Sequence, residues 1–156
     1  MALLLDSDID IDWLEDALTE DVASQLATNG RAISVIALME VLEGTREGDR
    51  VAIGKLSTLV LGTTILPMTV RTAYAAAAIR RKLRENRAQV SPRALDILIA
   101  ATAIEHNLFL VTRNIRHFQD IDGLRNLTKR SKLISVIVSP ANSDITTKYW
   151  HVHRHT

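Results

Sequence analysis

Cysteine is absent from all 156 residues, which excludes disulfides, thiolate-held zinc and a cysteine nucleophile. Apolar runs of membrane-spanning length are missing too, since the longest fall far short of the ~20 residues a bilayer requires. No lysine or arginine precedes Leu3, so no secretory leader is read and a cytoplasmic location is expected. Neither sign of charge dominates: 19 Lys and Arg face 18 Asp and Glu, for a net charge of +1. The molecule as a whole therefore does not attract nucleic acid by net charge. With 47% hydrophobic and 24% charged residues, the composition is that of a soluble domain with a real core. No repeat, low-complexity tract or linker divides it, and its length suits one domain.

Charge is nevertheless uneven along the chain. Residues 1–21 hold Asp6, Asp8, Asp10, Asp12, Glu15, Asp16, Glu20 and Asp21 with no basic partner, whereas 80–93 hold Arg80, Arg81, Lys82, Arg84, Arg87 and Arg93 against Glu85 alone. A basic stretch of this kind either guides a phosphate backbone or is a solvated helix face.

Strand and helix signals alternate. Leu3–Leu5 reads as a buried strand, followed by a polar turn and a helix from about Ile9. Thr19 is placed to cap a helix over 20–27, which Asn29-Gly30 stops. Residues 32–36 read as a strand, 37–42 as a helix ending near Gly44, and 48–61 as another helix. Residues 64–68, with Pro67 near the end, suit an edge strand. Thr69 is placed to cap a long helix over 70–86, and Ser91-Pro92 is a strong start signal for a helix running to about His106. Asn107 ends that helix, and 108–112 form the next buried strand. Leu133–Val138 reads as a last strand, and the end bearing His151, His153 and His155 as a tail. The alternation predicts a three-layer α/β/α fold around a mostly parallel sheet. Its site should lie beyond the carboxyl ends of the strands, where Asp6 and Asn114 fall.

Four polar residues stand at edges of apolar segments: Asp6, Glu40, Asp96 and Asn114. Carboxylates gathered from distant parts of a chain repel one another unless a cation neutralises them. Hard oxygen donors without cysteine suit Mg²⁺ or Mn²⁺ better than zinc. The run Asp6-Ser7-Asp8-Ile9-Asp10-Ile11-Asp12 admits three readings. A calcium loop needs glycine and glutamate where Ile11 and Ala17 stand, and is rejected. Strand-Asp-x-Asp resembles the haloacid-dehalogenase phosphatases, with Asp6 as nucleophile and Asp8 as general acid; Asp10 departs from that pattern and its downstream motifs are not found. The third reading is one metal-binding aspartate, Asp6, beside acids that solvate a helix start.

The motifs further along resemble a PIN domain, most closely a VapC-type toxin ribonuclease, over roughly residues 3–124. They run in order: the apolar strand with Asp6-Ser7-Asp8; Ser34 followed by a helix bearing Glu40 and Gly44; Asp96 entering Ile97-Leu98-Ile99-Ala100-Ala101-Thr102-Ala103; and Leu110-Val111-Thr112-Arg113-Asn114 with Phe118. Ser7-Asp8 replaces the family's usual Thr-Asn, and Asn114 stands where many members carry a fourth acid. The resemblance implies a Mg²⁺- or Mn²⁺-dependent ribonuclease with Asp6, Glu40, Asp96 and Asn114 as catalytic and metal-binding residues. It also implies a protein antitoxin as partner and a homodimer. Residues 1–124 would be the nuclease domain and 125–156 a C-terminal strand and tail. Arg80, Arg81, Arg84 and Arg87 are the candidates for RNA contact. The alternatives are the phosphatase using Asp6 and Asp8, and a PIN domain that binds RNA without cutting it.

Overall fold

The computed structural model describes residues 2–86 and 90–121. Arg87, the strand read over Leu133–Val138 and the three tail histidines lie outside these residues. The elements follow in the order β1 (Ala2–Leu5), α1 (Ser7–Leu14), α2 (Glu20–Thr28), β2 (Gly30–Ser34), α3 (Val35–Gly44), α4 (Arg50–Leu61), β3 (Thr64–Leu66), α5 (Val70–Glu85), α6 (Ala94–Glu105) and β4 (Phe109–Val111).

The described strands form one sheet in the order β3-β2-β1-β4, and every neighbouring pair is parallel. Side chains alternate across a strand, and β1 serves both faces. Leu3 and Leu5 pack with Ile9, Val22, Leu26 and Val111 under α1 and α2, whereas Leu4 joins Leu110 and the apolar faces of α5 and α6. The three-layer α/β/α reading holds, with β3 at an edge as expected.

Small residues set the packing of α5 on α6. Ala75 and Ala76 meet Ala100 and Ala101 within one buried cluster, so the two helices approach closely. Their opposite ends are joined by polar groups. Thr69 Oγ1 accepts from the Thr72 amide, and Thr72 Oγ1 accepts from the Thr69 amide, forming a capping box. Both hydroxyls also donate to Glu105 at the end of α6, Thr69 at 2.6 Å. Burial pushes the Glu105 carboxyl up, but the two hydroxyls, with the charges of His106 and Arg71, hold the group below its ordinary value. Glu105→Ala should therefore cost about 1 kcal/mol, the size of a lost cap. The loss should be full at neutral pH and shrink as pH falls through the lowered carboxyl value, because protonation already removes the interaction in the parent protein. Thermal melts of both proteins at pH 7 and pH 3 check this; an equal gap at both would contradict it.

Several boundaries differ from the sequence reading by a residue or two, and three of them bear on the local chemistry. No polar turn separates β1 from its helix: Asp6 itself caps α1, accepting from the Ser7 amide at 3.0 Å. The strand read over 32–36 ends at Ser34, whose hydroxyl accepts from the Ala37 amide at 3.0 Å, so Val35 and Ile36 enter α3. Ser91-Pro92-Arg93 form a 3₁₀ turn before α6 rather than its first turn. Thr19 stands at the α2 cap position without a side-chain cap bond.

Candidate active site

An open cleft of about 370 Å³ lies at the carboxyl ends of the strands, lined by Asp6, Asp8, Glu40, Asp96, Asn114 and His117 among others. All four positions singled out from the sequence are thus brought together, each by a different element. Asp6 directly follows β1, Glu40 lies on α3, Asp96 in the first turn of α6, and Asn114 just after β4. Sequence separation gives way to proximity because α1 packs on α3, and α3 on α6.

Asp6 is the most constrained of the four. It is 4% exposed, with Oδ1 accepting from the Ser7 amide and Oδ2 from the Thr112 hydroxyl at 2.6 Å. Burial, followed by the charge of Asp8, pushes its carboxyl up to about 7, against the pull of Thr112 and Ser7. Thr112 is fully buried and also accepts from the Asn114 amide at 3.0 Å. One hydroxyl therefore sets both the first acid and the turn that carries Asn114.

The neighbouring acids share the same electrostatic pressure. Burial raises the Glu40 carboxyl, opposed by a hydrogen bond from the Ser7 hydroxyl and reinforced by Asp96, Glu43 and Asp8. Glu43 itself is exposed. Burial also raises Asp8, which accepts from the Arg113 amide at 2.9 Å. Asp10 is buried with neither carboxylate oxygen bonded. Burial holds it well above the ordinary value, and Asp6 and Asp8 push it further. Arg113 bridges to Asp12 at 3.1 Å, which steadies the rim.

His117 is the cleft residue that sequence reasoning passed over. Its Nδ1 lies 2.8 Å from Asp96 Oδ2 and 2.8 Å from the side-chain amide of Asn114. A ring nitrogen carries either a proton or a lone pair, not both. With Asp96 ionised, Nδ1–H donates to it, and the Asn114 amide must turn its oxygen to the ring. The residue was visible within Asn114-Ile115-Arg116-His117-Phe118, but its role depends on a fold contact with Asp96.

Arg80, Arg81 and Arg84 lie on α5, and none lines the cleft. Arg81 and Arg84 are exposed and Arg80 half-buried.

The donor set can be tested against a divalent cation on this geometry. Asp6, Glu40 and Asp96 present hard oxygens; burial, and then the charges of neighbouring acids, raises the carboxyls of Asp6 and Glu40, the condition a cation relieves. Among the described residues no three acidic or imidazole side chains already close into a metal cage, and Asp96 faces His117 instead. The chemistry of the residues fits a hard cation.

The model of the PIN domain family matches residues 3–124, and the chain belongs to that family. It is 42% identical to Ribonuclease VapC1 of Rickettsia felis over 69 residues, which are 44% of this chain and half the length of that protein. It is 30% identical to Ribonuclease VapC19 of Mycobacterium tuberculosis over 118 residues, 74% of this chain and 90% of that one. In three dimensions it is similar to VapBC2 from Rickettsia felis, solved bound to a promoter DNA fragment. That likeness has a TM-score of 0.66 at 24% identity and covers 76% of this chain and 92% of the other; it supports the fold. VapC-type PIN ribonucleases generally depend on a divalent metal. No described helix is long and apolar enough to cross a membrane.

Proposed function

We propose that this chain is a VapC-type ribonuclease hydrolysing RNA phosphodiester bonds with Mg²⁺ or Mn²⁺, and the toxin of a toxin–antitoxin pair acting in the cytoplasm. The observation that carries the reading is the convergence of Asp6, Glu40, Asp96 and Asn114 on one cleft, within a chain 30% identical to a ribonuclease over most of both lengths. Asp6, Glu40 and Asp96 would hold the cation, with Asn114 completing the site. The chemistry such an ion would supply there is neutralisation of phosphate charge and a lowered pKa for water.

The chain's own groups do the rest. Thr112 and the Ser7 amide fix Asp6. Glu40, which lines the same cleft, is the group proposed to orient the attacking water and take its proton. Residues 1–124 are the proposed nuclease unit, with 125–156 a C-terminal part of the same domain or an extension of it; the span of the family match supports the division. Arg80, Arg81, Arg84 and Arg87 are the proposed backbone contacts for RNA reaching past the cleft, supported by their clustered charge. A protein antitoxin and a second copy of the chain are the proposed partners. Val35, Met39 and Leu42, exposed along α3, offer an apolar surface of the kind partners cover.

The phosphatase alternative loses ground because the PIN domain family matches residues 3–124. RNA, a small phosphate ester and a gel-shift probe, each with chelator and with Mn²⁺ added back, separate the readings. Cleavage of RNA that stops with chelator and returns with Mn²⁺ is expected. Phosphate release from the ester, or RNA shifted but never cut, would overturn the proposal.

A further inference from the structure

Arg93 is 8% exposed, an uncommon place for a guanidinium unless it is paired. It stands directly before α6, the helix whose first turn carries Asp96. Its two terminal nitrogens grip Asp120 as a fork, Nη1 to Oδ2 at 2.7 Å and Nη2 to Oδ1 at 2.6 Å. Nη2 also donates to the backbone carbonyl of His117. Its Nε is buried without a partner, so the group gives up one hydrogen bond to hold the other three.

The consequence lies in what these contacts join. On one side is the start of α6 with Asp96; on the other is the turn over 115–120, reached directly from Asn114 and carrying His117. The strand-end bonds of Thr112 fix where that turn begins. Between Thr112 and Asp120 its own backbone bonds are short-range, such as His117 N to Asn114 O at 3.1 Å and Phe118 N to Ile115 O at 2.9 Å. Bonds of this kind shape the turn without placing it against α6. Phe118 and Ile121 anchor it apolarly, but apolar contacts are non-directional. A forked guanidinium–carboxylate pair is directional and planar.

We infer that Arg93 is a positioning residue: it clamps the turn that bears His117 and follows Asn114 onto the helix bearing Asp96, and so sets the separation of those groups across the cleft. This rests on the ribonuclease reading above. Arg93 touches none of Asp6, Glu40, Asp96 or Asn114 through any of these bonds; its effect passes through His117 and Asp120.

The test uses the full chain with Arg93→Met, which keeps an apolar stem, Arg93→Lys, which keeps the charge without the fork, and Asp120→Ala, which keeps the arginine. Three readouts are taken well below the melting temperature: Mn²⁺ affinity without RNA, kcat and KM for RNA cleavage, and hydrogen exchange of the segment over 113–121. For Arg93→Met and Asp120→Ala, we expect Mn²⁺ binding to weaken about tenfold, as for lost groups that orient metal ligands. Fast exchange should be confined to 113–121, and kcat should fall more than KM changes. Arg93→Lys should recover part of each loss. If Arg93→Met fails to fold, Asp120→Ala alone decides the matter. A lower melting temperature with unchanged Mn²⁺ affinity, kcat and local exchange would show a merely structural arginine and overturn the inference. A wild-type protein that neither binds Mn²⁺ nor cuts RNA would instead overturn the ribonuclease reading, and this inference with it.

Discussion

Asp6→Asn should abolish RNA cleavage and at the same time make the metal-free protein more stable at neutral pH. The buried carboxyl of Asp6 keeps its proton up to about pH 7, whereas an unfolded chain releases it near ~4. Between those values the native state binds more protons than the unfolded one, so stability falls as pH rises through the window. Ionised Asp6 is then a burden on the order of a few kcal/mol. Asparagine removes the charge and is an equally good helix cap, so the bond from the Ser7 amide survives. Thr112 has only to turn its hydroxyl, accepting from the new amide and donating to Asp8, whose Oδ2 lies 3.4 Å away. Melting curves at pH 4 and pH 8 without metal should coincide at the first and separate at the second, with the variant higher. Added Mn²⁺ should raise the parent's melting temperature and leave the variant's nearly unmoved, since only binding to the native state stabilises it. A variant no more stable than the parent at pH 8 would contradict the electrostatic account of the cleft.

The second large effect is expected at a residue that touches no substrate. Thr112→Val keeps the buried shape but removes the donor to Asp6 and the acceptor for the Asn114 amide. Each buried polar group left unsatisfied costs about 1–3 kcal/mol, so a clear fall in melting temperature is expected. Activity should fall as well, roughly tenfold to a hundredfold, the usual range when a group orienting a metal ligand is lost. The pH dependence identifies the cause. Burial and Asp8 raise the Asp6 carboxyl, and Thr112 opposes them, so without the hydroxyl the proton is held to still higher pH. The activity deficit of Thr112→Val should therefore be greatest near neutrality and shrink in alkaline buffer, while Thr112→Ser restores the parent profile. A deficit constant with pH would mean the hydroxyl acts by packing alone.

The sheet was legible because its signals are local. Leu3–Leu5 and the strand ending at Val111 are apolar runs that need burial on both faces, and each ends in a polar residue at the sheet's edge. Capping chemistry placed α5 through Thr69. Where local signals competed, the boundary moved: Val35 and Ile36 have strand-forming side chains, yet the Ser34 cap draws them into a helix. Asp6, Glu40, Asp96 and Asn114 were legible as polar residues that an apolar setting does not explain. The supports of the site were not. His117 meets Asp96 across 21 positions, Arg93 meets Asp120 across 27, and Thr112 meets Asp6 across 106. No periodicity or spacing encodes such pairs, since they exist only once the sheet has closed. The basic stretch on α5 shows the opposite case: a visible charge cluster whose described members lie outside the cleft.

The central claim, that these acids hold the cation that cuts RNA, is tested most directly by the rate of RNA cleavage across a Mn²⁺ titration for the parent and Asp96→Asn side by side. The parent should show no cleavage in chelator and a saturable rise with Mn²⁺. Asp96→Asn, which keeps a hydrogen-bond acceptor for His117, should remain folded and fall by roughly a hundredfold or more, with no saturation in the same range. Cleavage by the parent that ignores Mn²⁺, or a titration that Asp96→Asn leaves unchanged, would contradict the account.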